Sequence, residues 1–465
     1  MQTTLATASE WAEVEFGGAD LGDKRRGSRL IRLARAVAQK PHGTLPGSLS
    51  GWAETKAAYR LLEESDVTYD GVIAPHRGRV REACGRPGEY LMVEDTTSLG
   101  FTSHLAARDM GRISNDAGRG LWVHSTLALR IERWNSRQEP EVTAEGLFDQ
   151  RWWARTEPTG RKRRAKRQKL SQPRESERWA AVAQEVGSPP DGAQWTLLAD
   201  RESDIYETFL RCQENRWHFI LRAGQPRALA QEDGSVFTAV SEGRELGRFT
   251  LDIRARPGQS ARQAVLVVRS RPVVLRPPWR PGVGLKPCTL NVVEAQEIDA
   301  PQGVEPIRWV LLTDWPCERF ESAMRVVKAY ACRWLIEQYH KCLKSGTGVE
   351  QSQLSTAHHI TALLGILAVV AVRLLNMKLL ATHCPDQPIH GDQLDPAAMA
   401  ILEAHYGQPP GGWTHQTLLV GVARMGGFLA RRGDGSPGWL TIWRGWDKLT
   451  LLAQGFELAR SEKCG

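Results

Sequence analysis

The sequence predicts an α/β core, interrupted by a β-rich insertion and flanked by a helical module at each end. Short continuous apolar runs carry the first part of that reading: YLMVED at 90–95, LWVHSTLALRI at 121–131, WTLLAD at 195–200, FILR at 219–222 and WVLLT at 309–313. Runs of this length and content suit strands buried on both faces. Helical patterns at about Glu175–Val186 and Ser203–Cys212 separate some of them, as an alternating α/β arrangement requires. The third observation is helical periodicity near both ends of the chain.

At the N-terminal end, DKRRGSRLIRLARAVAQKP from Asp23 sets Leu30, Leu33, Ala34 and Val37 on one stripe, with Arg25, Arg26, Arg29, Arg32 and Arg35 elsewhere. One face packs and the others can meet anions. Asp23 reads as the N-cap and Pro41 as the stop, and a second helix is expected over Trp52–Leu62 before the turn-rich SDVTYDG. This places a helical domain at 1–70, a catalytic-size α/β domain at 71–381 and a C-terminal domain at 382–465.

Within the middle domain, residues 224–305 turn to Gly and Pro clusters with polar–apolar alternation, as in GRFTLDIRARPG and CTLNVVEAQ, which predicts a β-rich insertion. A long helix is expected from about Glu321 to Lys344, closed by Gly346, followed by a buried helix from about His358 to Leu380. PDQPIHGDQLDP at 385–396 reads as a linker into a tail with helices near Gln416–Leu429 and Leu440–Ala459.

Composition bounds the function. With 465 residues and 41% hydrophobic content, the chain can bury a large core, and a wholly disordered protein is excluded. The net charge of +8 and pI near 9.1 favour a polyanionic partner, with nucleic acid foremost. Eight cysteines lie scattered without a Cys-x-x-Cys pair, which suits a reducing cytoplasm. Cys332, His340 and Cys342 would point in different directions on a helix, so no zinc site is expected there. The N-terminus lacks the pattern of a secretory signal, and the longest apolar run, the 13 residues Ile360–Val372, is shorter than a bilayer span, so no membrane partner is expected.

Two carboxylates, Asp95 and Asp200, sit where predicted strands end, the place where sites gather in open α/β sheets. Such residues also cap following helices, and Glu94, Glu202 and Asp204 are competing choices that pattern alone leaves open. A third group comes from YACRWLIEQYHKCLK. Tyr330, Arg333, Glu337 and Lys344, offset by 3, 7 and 14 residues, fall within an arc of roughly 60° on a regular helix. A phenol, two cations and a carboxylate on one face suit a surface that holds phosphate beside a metal-binding group. Three carboxylates would suit Mg²⁺, and two ions about 3.5–4 Å apart serve in-line phosphoryl transfer. The run RKRRAKRQK at 161–169, seven cations without an acid, reads as a solvated loop able to touch DNA backbone. His124 reads as structural.

Together these motifs resemble the transposases of insertion sequence family four, the group that includes the transposase of transposon five. The likeness runs through LGDKRR at 21–26, AYR at 58–60, EDTTSLGF at 94–101, GLWVHS at 120–125, DRESD at 200–204, Y-x2-R-x3-E-x6-K from Tyr330 to Lys344, AVRLL at 371–375 and ARMGGF at 423–428. The resemblance implies a ribonuclease H-like catalytic core of the DDE class, with Asp95, Asp200 and Glu337 as the metal-binding triad. It implies two Mg²⁺ per active site, with Mn²⁺ as a substitute. It assigns Arg222, Tyr330, Arg333 and Lys344 to DNA phosphates and Trp309 to stacking on a flipped base. The N-terminal helices, with Arg25, Arg26 and Arg29, become the DNA-end-binding module, and the C-terminal helices the dimer contact. The expected reaction is cut-and-paste transposition of double-stranded DNA. An end is nicked, a hairpin forms and reopens, and the 3′ end joins target DNA, within a synaptic homodimer whose subunits each cut the end bound mainly by the other.

Overall fold

The computed structural model describes residues 7–41, 43–113, 118–155, 175–253, 260–280, 284–389 and 396–461. The basic run at 161–169, Cys464 and residues 390–395 of the predicted linker fall outside them. Five helices lead the chain: α1 (Ala8–Phe16), α2 (Lys24–Gln39), α3 (Leu45–Ser48), α4 (Trp52–Glu63) and α5 (Tyr69–Cys84). Thr7 and Glu10 close a capping box on α1. Asp23 caps α2 as the sequence predicts, accepting the Arg25 N–H at 2.8 Å. The stripe Leu30, Leu33, Ala34 and Val37 is buried. Helix α5 carries the helical region past residue 70, and a buried Glu15–His76 contact of 2.6 Å ties it to α1.

The strands follow, with helices between some of them: β1 (Gly88–Gly100), β2 (Gly111–Arg112), β3 (Arg119–Trp134), β4 (Pro140–Trp153), α6 (Ala181–Val186), β5 (Ala193–Ala199), α7 (Tyr206–Glu214) and β6 (His218–Arg222). The insertion supplies α8 (Val236–Ser241), β7 (Arg244–Ile253), β8 (Arg262–Leu275) and β9 (Cys288–Ile298) before β10 (Arg308–Thr313). Among the described residues all ten strands belong to one sheet of order β2-β3-β1-β5-β6-β10-β9-β8-β7, with β4 also paired to β3. Strand β1 is antiparallel to β3 but parallel to β5, and β5 is parallel to β6. The insertion is thus an extension of the core sheet, because β10 pairs with β6 on one side and β9 on the other. Strand β4 has no counterpart among the apolar runs. Its pattern is broken by Asp149 and Gln150, which are buried through hydrogen bonds and not through apolarity.

Strand alternation divides the interior. Leu91, Val93 and Leu198 face a core shared with the N-terminal helices and the long C-terminal helix, whereas Tyr90, Met92 and Leu197 face a second core with α6 and α7. The remaining helices are α9 (Phe320–Ala331), α10 (Trp334–Lys341), α11 (Ala357–His383), α12 (Pro396–Tyr406), α13 (His415–Met425) and α14 (Trp439–Ser461). By length and apolar composition α11 could cross a membrane, but 89% of its most apolar window is buried inside the protein, as befits a core helix. A Cβ on Gly365 would lie 2.9 Å from Val72, so α11 rests closely on α5. Asn376 clips it to β4, accepting from Ala144 N at 2.9 Å and donating to Ala144 O at 2.6 Å.

One expectation needs correction. The helix predicted from Glu321 to Lys344 is two helices, α9 and α10, joined by a tightened turn. Cys332 N donates to Ala329 O and Arg333 N to Tyr330 O, three-residue spacings in place of four. A π turn over Cys342–Gly346 then continues α10. The uniform 100° step behind the four-residue face therefore does not hold, although no proline or glycine marks the break.

The C-terminal helices pack through glycines. A Cβ on Gly445 would sit 1.7 Å from Val422 O, and one on Gly426 would sit 1.9 Å from Thr441 O, so α13 and the neighbouring turn meet α14 backbone to backbone. Gly455, further along α14, has nothing within 4 Å of its notional Cβ. Gly445→Ala is therefore expected to destabilise the protein by about 1–3 kcal/mol. Gly455→Ala should stabilise it by about 0.5–1 kcal/mol through helix propensity. Denaturant melts of the two variants check the pair, and equal effects would contradict the close crossing.

Candidate active site

Parallel pairing of β1 with β5 ends at Val93 opposite Leu198. Two residues further along each strand stand Asp95 and Asp200, level with each other and, by alternation, on the side of the sheet that Val93 and Leu198 face. Helix α10 packs against β1 and brings Glu337 to the same place. The Asp95 carboxyl is pushed up to about 6, first by burial and then by the Asp200 and Glu337 carboxylates, against a hydrogen bond from Thr96 N and the Arg333 charge. The three predicted carboxylates are thus close enough to feel one another's charge.

They are not closed on each other. Among the described residues no three His, Cys, Asp or Glu side chains form a ready metal-holding cluster. Each carboxylate is instead engaged by a donor: Asp95 Oδ1 by Thr96 N at 2.8 Å, Asp200 Oδ1 by Glu202 N at 2.9 Å, and Glu337 by the Arg333 guanidinium. The donor set still fits a hard divalent cation. It is all carboxylate oxygen, it is partly buried, and its mutual repulsion already shows in the raised Asp95 carboxyl.

The alternatives that pattern left open have other occupations. Glu94 points to the opposite face, is 1% exposed, and accepts from Thr126 Oγ1 at 3.2 Å and Ala180 N at 3.1 Å. Asp204 is equally buried and accepts from Gly224 N at 2.7 Å, Gln225 N at 2.9 Å and the Arg227 guanidinium, so it anchors the start of the insertion. Glu202 is exposed, and only its backbone N–H serves the site.

Cations and aromatics surround the acids. Tyr330 is buried with its hydroxyl unpartnered, and burial lifts that hydroxyl to about 12. Arg333, Arg222, Asp200 and Arg201 all act on it electrostatically. Arg222 leaves β6 beside them and donates to Arg308 O at 3.2 Å, and burial pulls its guanidinium below the usual range. Trp309, half-buried at the start of β10, meets the Tyr330 ring edge-on with centroids 5.5 Å apart. Lys344 lies on the π turn, half-buried and within charge reach of His340.

Sequence reasoning gave neither histidine at the site a role there, reading His124 as structural and setting His340 aside as a zinc ligand. His340, three residues beyond Glu337, has Nδ1 3.9 Å from Asp95 Oδ2 and an unpartnered Nε2. Burial, with Lys344 and His124 nearby, pushes its imidazole down to about 3. His124 Nδ1 lies 2.8 Å from Thr96 Oγ1, and its ring stands edge-on to Trp179 at 4.9 Å. The only signal was the position of His340 within EQYHK, and a lone helical histidine carries little weight.

In the N-terminal helices the three named arginines separate. Arg25 and Arg29 are exposed on α2. Arg26 ties the module together, donating to Leu21 O at 3.0 Å and Asp66 at 2.7 Å and pairing with Glu64.

Two family models match the chain. Residues 8–67 match a transposase DNA-binding domain, and residues 175–373 match a transposase DDE domain. The DDE match contains Asp200 and Glu337, whereas Asp95 precedes it. A fold that brings carboxylates from neighbouring strand ends to a helix, joined to a basic helical module, is therefore supported as that of a DNA transposase. DNA is the partner and DDE-type chemistry the activity class that these matches support.

Removing the anchor under the Asp200 loop should be costly. Asp204→Ala leaves Arg227 and two backbone N–H groups without their buried acceptor, an expected loss on the order of 3 kcal/mol. A denaturant melt reads it, and an unchanged midpoint would contradict the anchoring role.

Proposed function

We propose that this chain is a cut-and-paste DNA transposase in which Asp95, Asp200 and Glu337 hold two divalent ions, Mg²⁺ or Mn²⁺, against a DNA strand. The observation that carries this reading is the level ending of β1 and β5 in Asp95 and Asp200, with Glu337 in electrostatic reach. The strand order β4-β3-β1-β5-β6, antiparallel through β1 and parallel beyond it, supports the ribonuclease H-like core that the family likeness implies. When bound, the ions supply the activation of a water or 3′-hydroxyl and the charge stabilisation that phosphoryl transfer needs.

The chain's own groups do the rest. Arg222, Arg333 and Lys344 hold the phosphates flanking the scissile bond, and the unpartnered Tyr330 hydroxyl is free to donate to one of them. Arg333 leaves Glu337 for phosphate as DNA enters, which makes the carboxylate available. Trp309, once it swings from the Tyr330 edge, offers a face to a base turned out of the duplex, as hairpin formation requires. At the other end Arg25 and Arg29 grip the terminal repeat, while Arg26 preserves the module's shape. Leu440, Leu451 and Leu458 stand exposed on α14 and suit the contact between two copies in a synaptic homodimer. In this reading the protein works in the cytoplasm.

Glu337→Ala should lower Mg²⁺-dependent nicking of a labelled transposon end by roughly a thousandfold or more while leaving end binding intact. Retained nicking rejects the triad, and failure of a pre-cleaved end to become joined to a plasmid would reduce the protein to a nuclease. Arg25→Ala and Arg29→Ala should each weaken end binding and reduce the slope of log affinity against log salt by about 0.9. An unchanged slope in both would remove α2 from the interface.

A further inference from the structure

We propose that His340 is a positioning residue for Asp95, its Nδ1–H turned toward Oδ2 so that this carboxylate keeps the orientation in which it takes a metal ion. The inference rests on the triad reading and adds to it a residue that fixes one of the three ligands.

The two oxygens of Asp95 have different neighbours. Oδ1 accepts the backbone N–H of Thr96 at 2.8 Å, a bond built into β1 itself. Oδ2 faces His340 Nδ1 at 3.9 Å, an electrostatic contact longer than a hydrogen bond and short enough for a small side-chain turn to close. Without a partner at Oδ2 the carboxylate could rotate about its bond to Cβ and present either edge to the site.

Packing alone does not account for a histidine here. The residue is 7% exposed, and its Nε2 reaches no hydrogen-bond partner among the described residues. A buried imidazole with an orphaned nitrogen costs stability that leucine or phenylalanine would not. Its tautomer follows from the same cost. An unpaired buried N–H is worse than an unpaired lone pair, so the proton belongs on Nδ1, facing the carboxylate. Lys344, whose charge acts on the ring, is a donor and offers Nδ1 no competing acceptor.

Topology gives the contact its use. Asp95 comes from a strand and Glu337 from α10, and His340 lies three residues beyond Glu337 on that same helix. One helix thus supplies a metal-binding carboxylate and the group that orients its partner on the sheet. Residues that orient metal ligands through a hydrogen bond are commonly worth ten- to a hundredfold in metal affinity.

The test is Mn²⁺ titration by calorimetry into metal-free, DNA-free protein, comparing wild type with His340→Ala, His340→Asn and His340→Gln. Asparagine places its amide nitrogen where Nδ1 lies, and glutamine places its own where Nε2 lies. His340→Ala should bind Mn²⁺ about tenfold or more weakly. His340→Asn should recover most of that loss and His340→Gln should not. The Mn²⁺ concentration for half-maximal nicking should shift in parallel, with the KM for DNA unchanged. Wild-type affinity in His340→Ala, or rescue by glutamine equal to that by asparagine, overturns the proposal while leaving the triad standing. Absence of Mn²⁺ binding by the wild type overturns both. Should the alanine variant fail to fold, the asparagine–glutamine comparison decides alone.

Discussion

Parallel pairing between β1 and β5 is the constraint on which the candidate site depends. Two strands far apart in sequence are held in one register, Gly88 to Ala193 through Val93 to Leu198, and both acids lie two residues past its end. A slip of one residue would turn one of them to the other face of the sheet, where Glu94 is already sealed behind Thr126 and Ala180. The register is fixed because both faces are buried. Leu91 and Val93 pack on one side, and Tyr90 and Met92 on the other. Hydrophobic burial therefore sets the chemical geometry, although none of these packed strand residues takes part in the proposed reaction.

Helix α11 gives the sheet something to press against. Its apolar residues face neighbours on nearly every side, packing on α5, β4, α13 and the π turn that follows α10. Each fully buried leucine or valine there contributes roughly 1.5–3 kcal/mol relative to exposure. The paired hydrogen bonds of Asn376 to Ala144 fix where along β4 the helix sits, a choice that apolar contact alone leaves loose. Because the π turn leads from α10 toward α11, the placement of Glu337 is coupled to this core.

Electrostatically the site is poised between two states. Carboxylates crowd one another enough to raise Asp95, while Arg333 partly neutralises Glu337 and Arg222 gives up full hydration to stay near Tyr330. In the proposed reading a divalent cation would relieve the first strain, and phosphate would relieve the second by taking up Arg333 and Arg222. Metal and DNA would thus favour each other's binding through the same few side chains.

Sequence by itself determined the apolar runs that became β1, β3, β5, β6 and β10, the capped α2, the β-rich insertion and the buried α11. It also offered Asp95, Asp200 and Glu337, because acids at the ends of apolar runs and a mixed face on a helix are local patterns. Strand β4 was hidden, since arginines of α5 and β4 itself engage Asp149, and Ser125, Tyr69 and Tyr339 engage Gln150, which allows both to be buried. The tightened turn at Cys332 was equally hidden, as were the ties holding Arg26 to Glu64 and Asp66. Local pattern left Glu94 and Asp204 open and the family likeness favoured Asp95 and Asp200, but only the tertiary structure shows Glu94 and Asp204 engaged by other partners and sets His340 beside a carboxylate. Those distinctions rest on which partner lies across a strand or helix, and residues near in space but distant along the chain leave no trace in local spacing.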